Sequence, residues 1–330
     1  MSKNITYRLF QDSDLPGVLR LWEEESGWGA LTPELWRQWY RGTPFGDAVI
    51  AVAVDESGAI AGQETFVPAR VAVGERVVKA WRLSAPILRN DLRRHSLGDM
   101  DHPTFRLYQT ATHSAAVQGT DIIYALPEVN WLPVFRVLAR RRIVFFSGAK
   151  YECLVLPLAA SFSNDGDSSF VVRTVNEFGD EYAALWHEAK NNFPIQCGVE
   201  RSPLWLGYKN GAHLTLAAYD QHDRLTGYGA INRRTGLIAD WLTRRPADTV
   251  KVLAAIVHYL ATQHTAGVKT IPSVIKAMST PILNDALRTL GFMPIDFHFA
   301  FVCALRDPNA ATELSAEAIR PEHWYLMPGD

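Results

Sequence analysis

Three arginines close together in the first half of this sequence form the group best suited to bind an anion. Arg89, Arg93 and Arg94 lie in the loop Arg89–Gly98, which leads toward a helix signal. The first backbone N–H groups of a helix, together with its dipole, favour a negative charge such as a phosphate. A phosphate-binding loop is therefore one interpretation of this cluster, and a solvated basic face is the other.

The segments around this loop alternate between strand and helix signals. In chain order they are a strand, the loop, an amphipathic helix, a buried strand and a second helix: Ala80–Leu88, Arg89–Gly98, His102–Gly119, Asp121–Pro127 and Asn130–Arg142. Apolar residues of the first helix, such as Phe105 and Tyr108, recur at spacings of three and four. The second strand is a short apolar run that ends at a proline, which is typical of a strand inside a sheet.

Composition limits the class of protein. At 330 residues, with 48% hydrophobic and 21% charged residues, the chain is typical of a globular protein with room for two domains. A net charge of −2 provides no general attraction to nucleic acid or to anionic membranes, so neither is expected as a partner. The three cysteines are odd in number and widely separated, which favours a reducing, cytoplasmic location over a disulfide framework or a zinc site.

Missing signals argue against several other classes. The first residues lack an apolar run and a cleavage pattern, so no signal peptide is predicted, and no stretch approaches the ~18 apolar residues of a membrane span. Gly-x-Ser-x-Gly, Walker and dinucleotide patterns are absent, which disfavours a hydrolase, an NTPase and a dehydrogenase. No two histidines stand at ligand spacing with a third partner nearby, so no metal site is predicted.

The order of elements around the basic loop resembles the cofactor-binding core of the GNAT superfamily of acyl-CoA-dependent N-acyltransferases. The family loop usually reads V-x-P-E-x-R-G-x-G-x-G. In the best register, which begins at Leu88, Arg93 lies on the family arginine, Ser96 on the middle glycine and Gly98 on the last glycine.

A second register uses a subgroup pattern, G-x-G-x-F before the helix and Y-x-F-P-N after the next strand. It places His102–Phe105 at the helix start and Tyr124–Glu128 at the strand end. Both registers lack a glycine where the backbone should approach a pyrophosphate closely.

The resemblance implies acetyl-CoA or another acyl-CoA as a co-substrate, and no metal. The binding residues that it implies lie before, within and after the loop: Ala85, Ile87, Leu88, Arg89, Arg93, Arg94, Ser96, Gly98 and Asn130. In the family, backbone N–H groups on the strand before the loop polarise the thioester carbonyl, and these fall on Ala85–Leu88 here.

An N-acyltransferase also needs a base for the amine and an acid for the leaving thiolate. The resemblance places Glu64 on the strand beside the cofactor strand, so Glu64 is the predicted base, with His102 and His95 as alternatives. Many family members carry a tyrosine acid in the last helix, but the matching face here carries none. The resemblance therefore leaves Tyr124 or Tyr108 as the acid.

The order of elements repeats in the second half, which predicts two tandem GNAT-like domains. Each is expected to be α+β, with a mixed, largely antiparallel sheet flanked by helices. Residues 1–160 form the predicted acyl-CoA-binding domain, residues 161–169 a linker, and residues 170–330 a degenerate second domain with a tail. The second loop, Thr243–Asp248, lacks glycine, and Asp248 would cap the next helix itself. The second half is therefore expected to have lost cofactor binding or to serve the acceptor.

Three functional hypotheses follow. The first is an acyl-CoA-dependent N-acyltransferase that acts on the amine of a small molecule or lipid precursor. The second is a transferase of another donor class on the same double fold, for long-chain acyl or aminoacyl groups. The third is a binding protein without activity, in which the missing glycines record the loss of catalysis.

Overall fold

The computed structural model describes most of the chain in seven pieces: residues 4–93, 101–114, 117, 120–140, 147–158, 169–305 and 319–330. For Ala85 and Ser147 only the backbone is described. Four predicted site residues, Arg94, His95, Ser96 and Gly98, lie outside these ranges, as does most of the predicted linker.

The first half contains six strands and five α-helices within the described ranges. The strands are β1 (Thr6–Leu9), β2 (Val49–Val54), β3 (Ile60–Val73), β4 (Arg76–Leu88), β5 (Ile122–Ala125) and β6 (Ser147–Pro157). The helices are α1 (Leu15–Glu25), α2 (Pro33–Tyr40), α3 (Asn90–Arg93), α4 (Pro103–Thr112) and α5 (Leu132–Arg140).

The second half repeats this alternation. Its described strands are β7 (Val171–Val175), β8 (Cys197–Val199), β9 (Leu214–Tyr219), β10 (Leu225–Ile231), β11 (Ile238–Thr243), β12 (Val274–Met278), β13 (Met293–Leu305) and β14 (Trp324–Tyr325). Its described helices are α6 (Asp180–Asn192), α7 (Pro203–Asn210), α8 (Thr249–Thr265) and α9 (Asn284–Thr289).

Strand pairing joins the two halves through one large sheet. Strands β1 to β4 are antiparallel neighbours, and β5 lies parallel to β4. The last long strand, β13, lies between β5 and β6, and β6 also pairs with β12. Strands β7, β9, β10 and β11 form a second, antiparallel sheet. The division at residues 160–170 stays a prediction, and segments on both sides of it share the first sheet.

Helices cover both faces of the first-half sheet because its strands alternate apolar side chains between the two faces. On one face Ala51 and Phe66 pack with Phe105 of α4 and Phe135 of α5. On the other face Val52 packs with residues of α1 and α2, among them Trp22 and Trp36. The junction of β4 and β5 inside the sheet therefore lies between apolar layers, which fixes the position of the cleft described below.

Several element boundaries differ from the sequence-based expectation. The helix expected over His102–Gly119 is α4, ten residues long, with His102 as its N-cap and Pro103 in its first turn. In the second half, β12 begins only at Val274, because Pro272 has no backbone N–H to donate to a strand partner. The tail Pro321–Asp330 packs onto the fold, with β14 parallel to β8.

Within the described ranges, the structure contains no helix that is both long enough and apolar enough to cross a membrane.

Candidate active site

A cleft of about 760 Å³ opens where β4 and β5 separate. The two strands pair in parallel from Ala80–Arg82 to Ile122–Tyr124, and no further β4–β5 pair exists among their described residues. The cleft is lined by the end of β4, the end of β5, the start of α4 and one face of α5. Its polar lining residues are Glu25, Ser26, Glu64, Arg82, Ser84, Arg93, His102, Thr104, Tyr108, Glu128 and Asn130.

A β-bulge in β4 marks the start of this separation. Gln63 pairs with Ile87 and Thr65 pairs with Ser84, so two β4 residues, Ala85 and Pro86, oppose Glu64 alone. Pro86 lacks an N–H and cannot complete a ladder of hydrogen bonds, which favours a bulge at this position. A bulge bends its strand, and bulges are frequent beside active sites.

Glu64 lies opposite the bulge and lines the cleft. Its side chain is only 4% exposed, and Oε1 has no hydrogen-bond partner among the described residues. Burial raises the pKa of Glu64 to about 8, although a hydrogen bond from the Thr65 backbone acts in the opposite direction. A carboxyl group with this pKa is able to exchange a proton near neutral pH.

His102 also lines the cleft and is buried. Its Nδ1 accepts a hydrogen bond from the Thr104 backbone N–H at 3.2 Å, and its ring lies 5.4 Å from that of Phe105. A neutral imidazole that accepts at Nδ1 carries its proton on Nε2. In this tautomer the N–H of the ring lies at Nε2, and the role of His102 as an alternative base stays a prediction.

The first turn of α4 is already satisfied by His102. Thr104 donates to the His102 ring, and the Phe105 and Arg106 N–H groups donate to the His102 carbonyl oxygen at 2.9 and 3.2 Å. Pro103 has no N–H to offer. The free amides expected at this helix start are therefore absent from the described turn, because a histidine cap and a proline replace the glycines of the family pattern.

Two predicted arginine ligands lie in different surroundings. Arg93 lines the cleft, is 47% exposed, and bonds the Leu88 carbonyl oxygen through Nε at 2.7 Å and Glu25 Oε2 through Nη2 at 3.0 Å. Arg89 instead forms ion pairs with Asp55 at 2.7 Å and Asp91 at 2.8 Å, and it is not among the lining residues. Only Arg93 of this pair is in the cleft.

The other predicted cofactor residues lie on both walls of the cleft or at the bulge. Ile87 and Leu88 line one wall, and Ala85 is part of the bulge between them and Ser84. Asn130 lines the opposite wall, where its Nδ2 donates to Glu128 Oε2 at 3.3 Å.

The two tyrosine candidates are separated by the sheet. Tyr108 lines the cleft, with its ring 5.6 Å from that of Phe66. Tyr124 packs on the other side of β5, 5.6 Å from the Trp324 ring, and is not among the lining residues. Burial raises the pKa of Tyr124 above its ordinary value. The structure therefore brings Tyr108, Glu64 and His102 to one cleft and leaves Tyr124 outside it.

Sequence reasoning missed Arg82, Ser84, Glu25 and Trp28, all of which line the cleft. Arg82 Nη1 donates to the Gly329 carbonyl oxygen at 3.2 Å, across 247 positions of sequence. A charged residue in the mostly apolar run AWRLSAPIL was a local signal for Arg82. No local signal indicates that the tail lies beside it.

No cluster of three or more histidine, cysteine, aspartate or glutamate residues suited to a metal is present in the part of the chain that the structure describes.

Comparison with known proteins shows which solved structures share this fold. No family model matches the sequence, and no match is found among curated proteins. Solved structures match over most of the chain. A GCN5-related N-acetyltransferase from Kribbella flavida has 14% identity and a TM-score of 0.59, covering 92% of this chain and 71% of its own. Another from Anabaena variabilis ATCC 29413 has 15% identity and a TM-score of 0.62, covering 92% and 73%.

Saccharomyces cerevisiae N-myristoyltransferase, in a structure with bound myristoyl-CoA, is also similar. It has 10% identity and a TM-score of 0.59, covering 92% of this chain and 83% of its own. At these identities the likeness shows the fold. The predicted α+β class, with GNAT-like halves in tandem, is confirmed.

Proposed function

We propose that this chain, which has the GCN5-related N-acetyltransferase fold, transfers an acyl group from acyl-CoA to an amine. One observation carries the proposal. Glu64 is a buried carboxyl group without a cationic partner among the described residues, and it lies in the cleft where β4 and β5 separate. A group of this kind is suited to accept a proton from an amine beside it.

Different parts of acyl-CoA are suited to different positions along the cleft. Arg93 and Asn130 lie on opposite walls and are suited to the phosphate-bearing part of CoA. The bulge at Ala85 and Pro86 presents irregular backbone beside Glu64, which suits the thioester carbonyl. The acyl group would then lie within reach of Glu64.

The reaction forms a C–N bond and breaks the C–S bond of the thioester. Glu64, in its ionised form, takes the proton that the amine loses as it attacks the carbonyl carbon. The departing thiolate takes a proton, for which Tyr108 and the Nε2–H of His102 are the candidate donors within the cleft. Because Glu64 is buried, the dielectric constant around it is low, and its electrostatic interaction with the amine is stronger than it would be in water.

Substitution of the base tests the proposal. Glu64→Gln keeps the shape of the side chain and removes its basicity, so turnover should fall ~10²–10⁴-fold. The measurement is release of free CoA from acetyl-CoA in the presence of a panel of primary amines. Glu75→Gln, an exposed glutamate at the turn of the same β3–β4 hairpin, is the matched control and should keep wild-type turnover.

Wild-type turnover by Glu64→Gln across the pH range would mean that the base is elsewhere. Binding of CoA without turnover of any amine would instead support the hypothesis of a binding protein without activity.

A second candidate, transfer of a longer acyl chain, is favoured by the apolar wall of the cleft. That wall is formed mainly by the end of β5 and by α5: Leu126, Trp131, Val134, Phe135 and Leu138. An acetyl group needs little of this surface, whereas a long chain would bury it at roughly 25 cal/mol per Å². If this candidate is correct, dodecanoyl-CoA should be a better donor than acetyl-CoA, and Val134→Trp should reverse that preference.

A further inference from the structure

We propose that the amine acceptor carries an oxyanion, a carboxylate or a phosphate, and that Arg82 binds it on the side of β4 that faces the second half. This inference rests on the proposed acyl transfer, because it assigns the substrate class of the same cleft.

Arg82 lies at the point where the cleft begins. It is the last β4 residue paired with β5, it lines the cleft and it is partly exposed. Its neighbours Trp81 and Leu83 pack into the apolar cluster of α4 and α5. Because side chains alternate along a strand, Arg82 projects from the opposite face. That face is distinct from the one on which α4 and α5 would cover a cofactor.

The charge of Arg82 is not balanced within the described structure. No described carboxylate lies within ion-pair distance of Arg82, and its one hydrogen bond runs from Nη1 to the Gly329 carbonyl oxygen. Its Nε is buried and has no partner among the described residues. A buried donor without an acceptor is costly, and a guanidinium presents its N–H groups in a fork that matches a carboxylate or phosphate.

The nearby cations, unlike Arg82, have carboxylate partners. Arg201 and Lys209 lie in a buried network with Asp240 and Asp330, where two cations meet two carboxylates. The side chains of this network balance one another, two cations with two carboxylates, whereas no described side chain balances Arg82.

Two buried hydroxyl groups lie on the face of the sheet that carries Arg82. Tyr124 pairs with Arg82 across the parallel ladder, and its hydroxyl group is buried without a partner among the described residues. Thr65 pairs with Ser84 on the same face, and the Thr65 hydroxyl group is likewise buried and without a described partner. Neither Tyr124 nor Thr65 lines the cleft, so an oxyanion in the cleft would meet Arg82 itself.

The second half holds Arg82 in place through the tail. Asp330 bonds Arg201 at 2.9 Å and also contacts Lys209, while the Gly329 N–H donates to the Ala239 carbonyl oxygen at 2.8 Å. These bonds fix the Gly329 carbonyl oxygen that accepts from Arg82. An acceptor between the halves would therefore meet a fixed guanidinium rather than a mobile one.

Paired ligands test this assignment on the full chain, with and without saturating CoA. The pairs are glycine and glycinamide, 4-aminobutanoate and 4-aminobutanamide, 6-aminohexanoate and 6-aminohexanamide, and O-phosphoethanolamine and ethanolamine. Calorimetric titration should show that the oxyanion member of at least one pair binds at least ~10-fold more tightly than its neutral partner. The first three pairs report a carboxylate, and the fourth reports a phosphate.

Variants of Arg82 then identify the residue responsible. Arg82→Gln should abolish the preference, and Arg82→Lys should restore part of it because the charge returns without the fork. CoA affinity should change less than twofold in both variants. Arg70→Gln, an exposed arginine on the neighbouring strand β3, should keep the preference. Melting temperatures of all variants show whether each is folded.

Two results would overturn the inference: no pair shows a preference for its oxyanion member, or Arg82→Gln keeps the preference. Failure of wild-type protein to bind CoA would count against the proposed acyl transfer instead. The titrations without CoA still decide the role of Arg82 in that case.

Discussion

The two halves carry the same backbone irregularity with different surroundings. In the first half β4 pairs in parallel with β5 and then bulges at Ala85 and Pro86, where a cleft opens. In the second half β11 also bulges, with Ala239 as the extra residue opposite β10, just after the parallel bridge from Leu237 to Lys276. There the Ala239 carbonyl oxygen accepts the Gly329 N–H. The tail thus covers the bulge of β11 in the second half, whereas the bulge of β4 in the first half lies beside an open cleft.

The buried carboxylates of the two halves differ in the same way. Asp240 bonds Arg201 at 3.0 Å and Tyr228 at 2.8 Å, and these partners hold its pKa below the usual range despite its burial. Glu64 has no such cation, and burial raises its pKa. A buried carboxyl group with cationic partners stays ionised and serves the fold, whereas one without them remains able to exchange a proton.

Each half also has an ion pair between its first helix and the residues that follow a bulged strand, β4 in the first half and β11 in the second. Arg93 meets Glu25 at 3.0 Å, and Arg244 meets Glu188 at 2.6 Å. Arg93 is 47% exposed and lines the cleft, while Arg244 is 11% exposed and also bonds the Leu225 carbonyl oxygen. The same contact is therefore open to a ligand in one half and closed in the other.

The largest expected effect is on stability in the second half. Arg201→Met should lower the free energy of unfolding by ~3–5 kcal/mol, because Asp240 and Asp330 would keep their buried charges with Lys209 as the remaining cation. Arg93→Met should cost ~0–1 kcal/mol, since its ion pair is exposed. Urea unfolding of both variants measures the difference. Similar losses would show that the two halves do not differ as described.

A smaller effect is expected on cofactor affinity. Arg93→Ala should weaken CoA binding ~10- to 100-fold, the range expected when a hydrogen bond to a charged group is lost. Arg245→Ala, an exposed arginine of the corresponding loop in the second half, should leave the affinity unchanged. Calorimetric titration of the full chain with CoA measures both. Equal weakening by the two substitutions would contradict the assignment of CoA to the first half.

The two buried carboxylates should respond to pH in opposite directions. The pKa of Glu64 is about 8 in the folded protein and near 4.5 in a free chain, so the folded state binds its proton more tightly. The stability contributed by that proton is complete below pH 4.5 and is lost as the pH rises toward and through 8. Glu64→Gln should therefore gain melting temperature relative to wild type between pH 5 and pH 9.

Asp240 provides the opposite case. Its pKa is lowered in the folded protein, so its contribution is present above the ordinary value of 3.8 and is lost as the pH falls below it. For Glu64, the raised pKa would be ruled out if the difference in melting temperature between Glu64→Gln and wild type stayed constant from pH 5 to pH 9.

The smallest expected effects are on the unfolding free energy when the carboxylate of either ion pair, Arg93–Glu25 or Arg244–Glu188, is removed. Glu25→Gln should cost ~0–1 kcal/mol of unfolding free energy, as is usual for exposed pairs. Glu188→Gln should cost more than Glu25→Gln, because it leaves the mostly buried Arg244 without its carboxylate. Urea unfolding compares the two variants. A larger loss of unfolding free energy in Glu25→Gln would mean that the exposed ion pair stabilises the fold more than the Arg244–Glu188 pair.

Local patterns were sufficient where neighbours in sequence decide the outcome. The apolar spacing of Phe105 and Tyr108 predicted the buried face of α4, and both side chains are buried. The placement of Glu64 on the strand next to β4 was also predicted, and β3 pairs with β4 along its length. Its role as a base stays a prediction.

Local patterns failed where the face of a strand or the partner of a side chain mattered. Tyr124 matched a motif position, but strand alternation directs it away from the cleft. Arg89 matched a loop position, but Asp55, 34 positions earlier, and Asp91 bond it. A motif records residue types and spacing and does not record which face or which charge a side chain meets.

The sequence by itself determined most of the order of strands and helices, although it gave no signal for the short β8 and α7. That order depends on apolar periodicity, turn residues and caps, which act between residues a few positions apart. Only the tertiary structure decided that β13 lies between β5 and β6, that Gly329 contacts Arg82, and that Glu64 is buried without a cation. Those features arise from packing between distant segments, and burial sets the pKa of a carboxyl group only after that packing is complete.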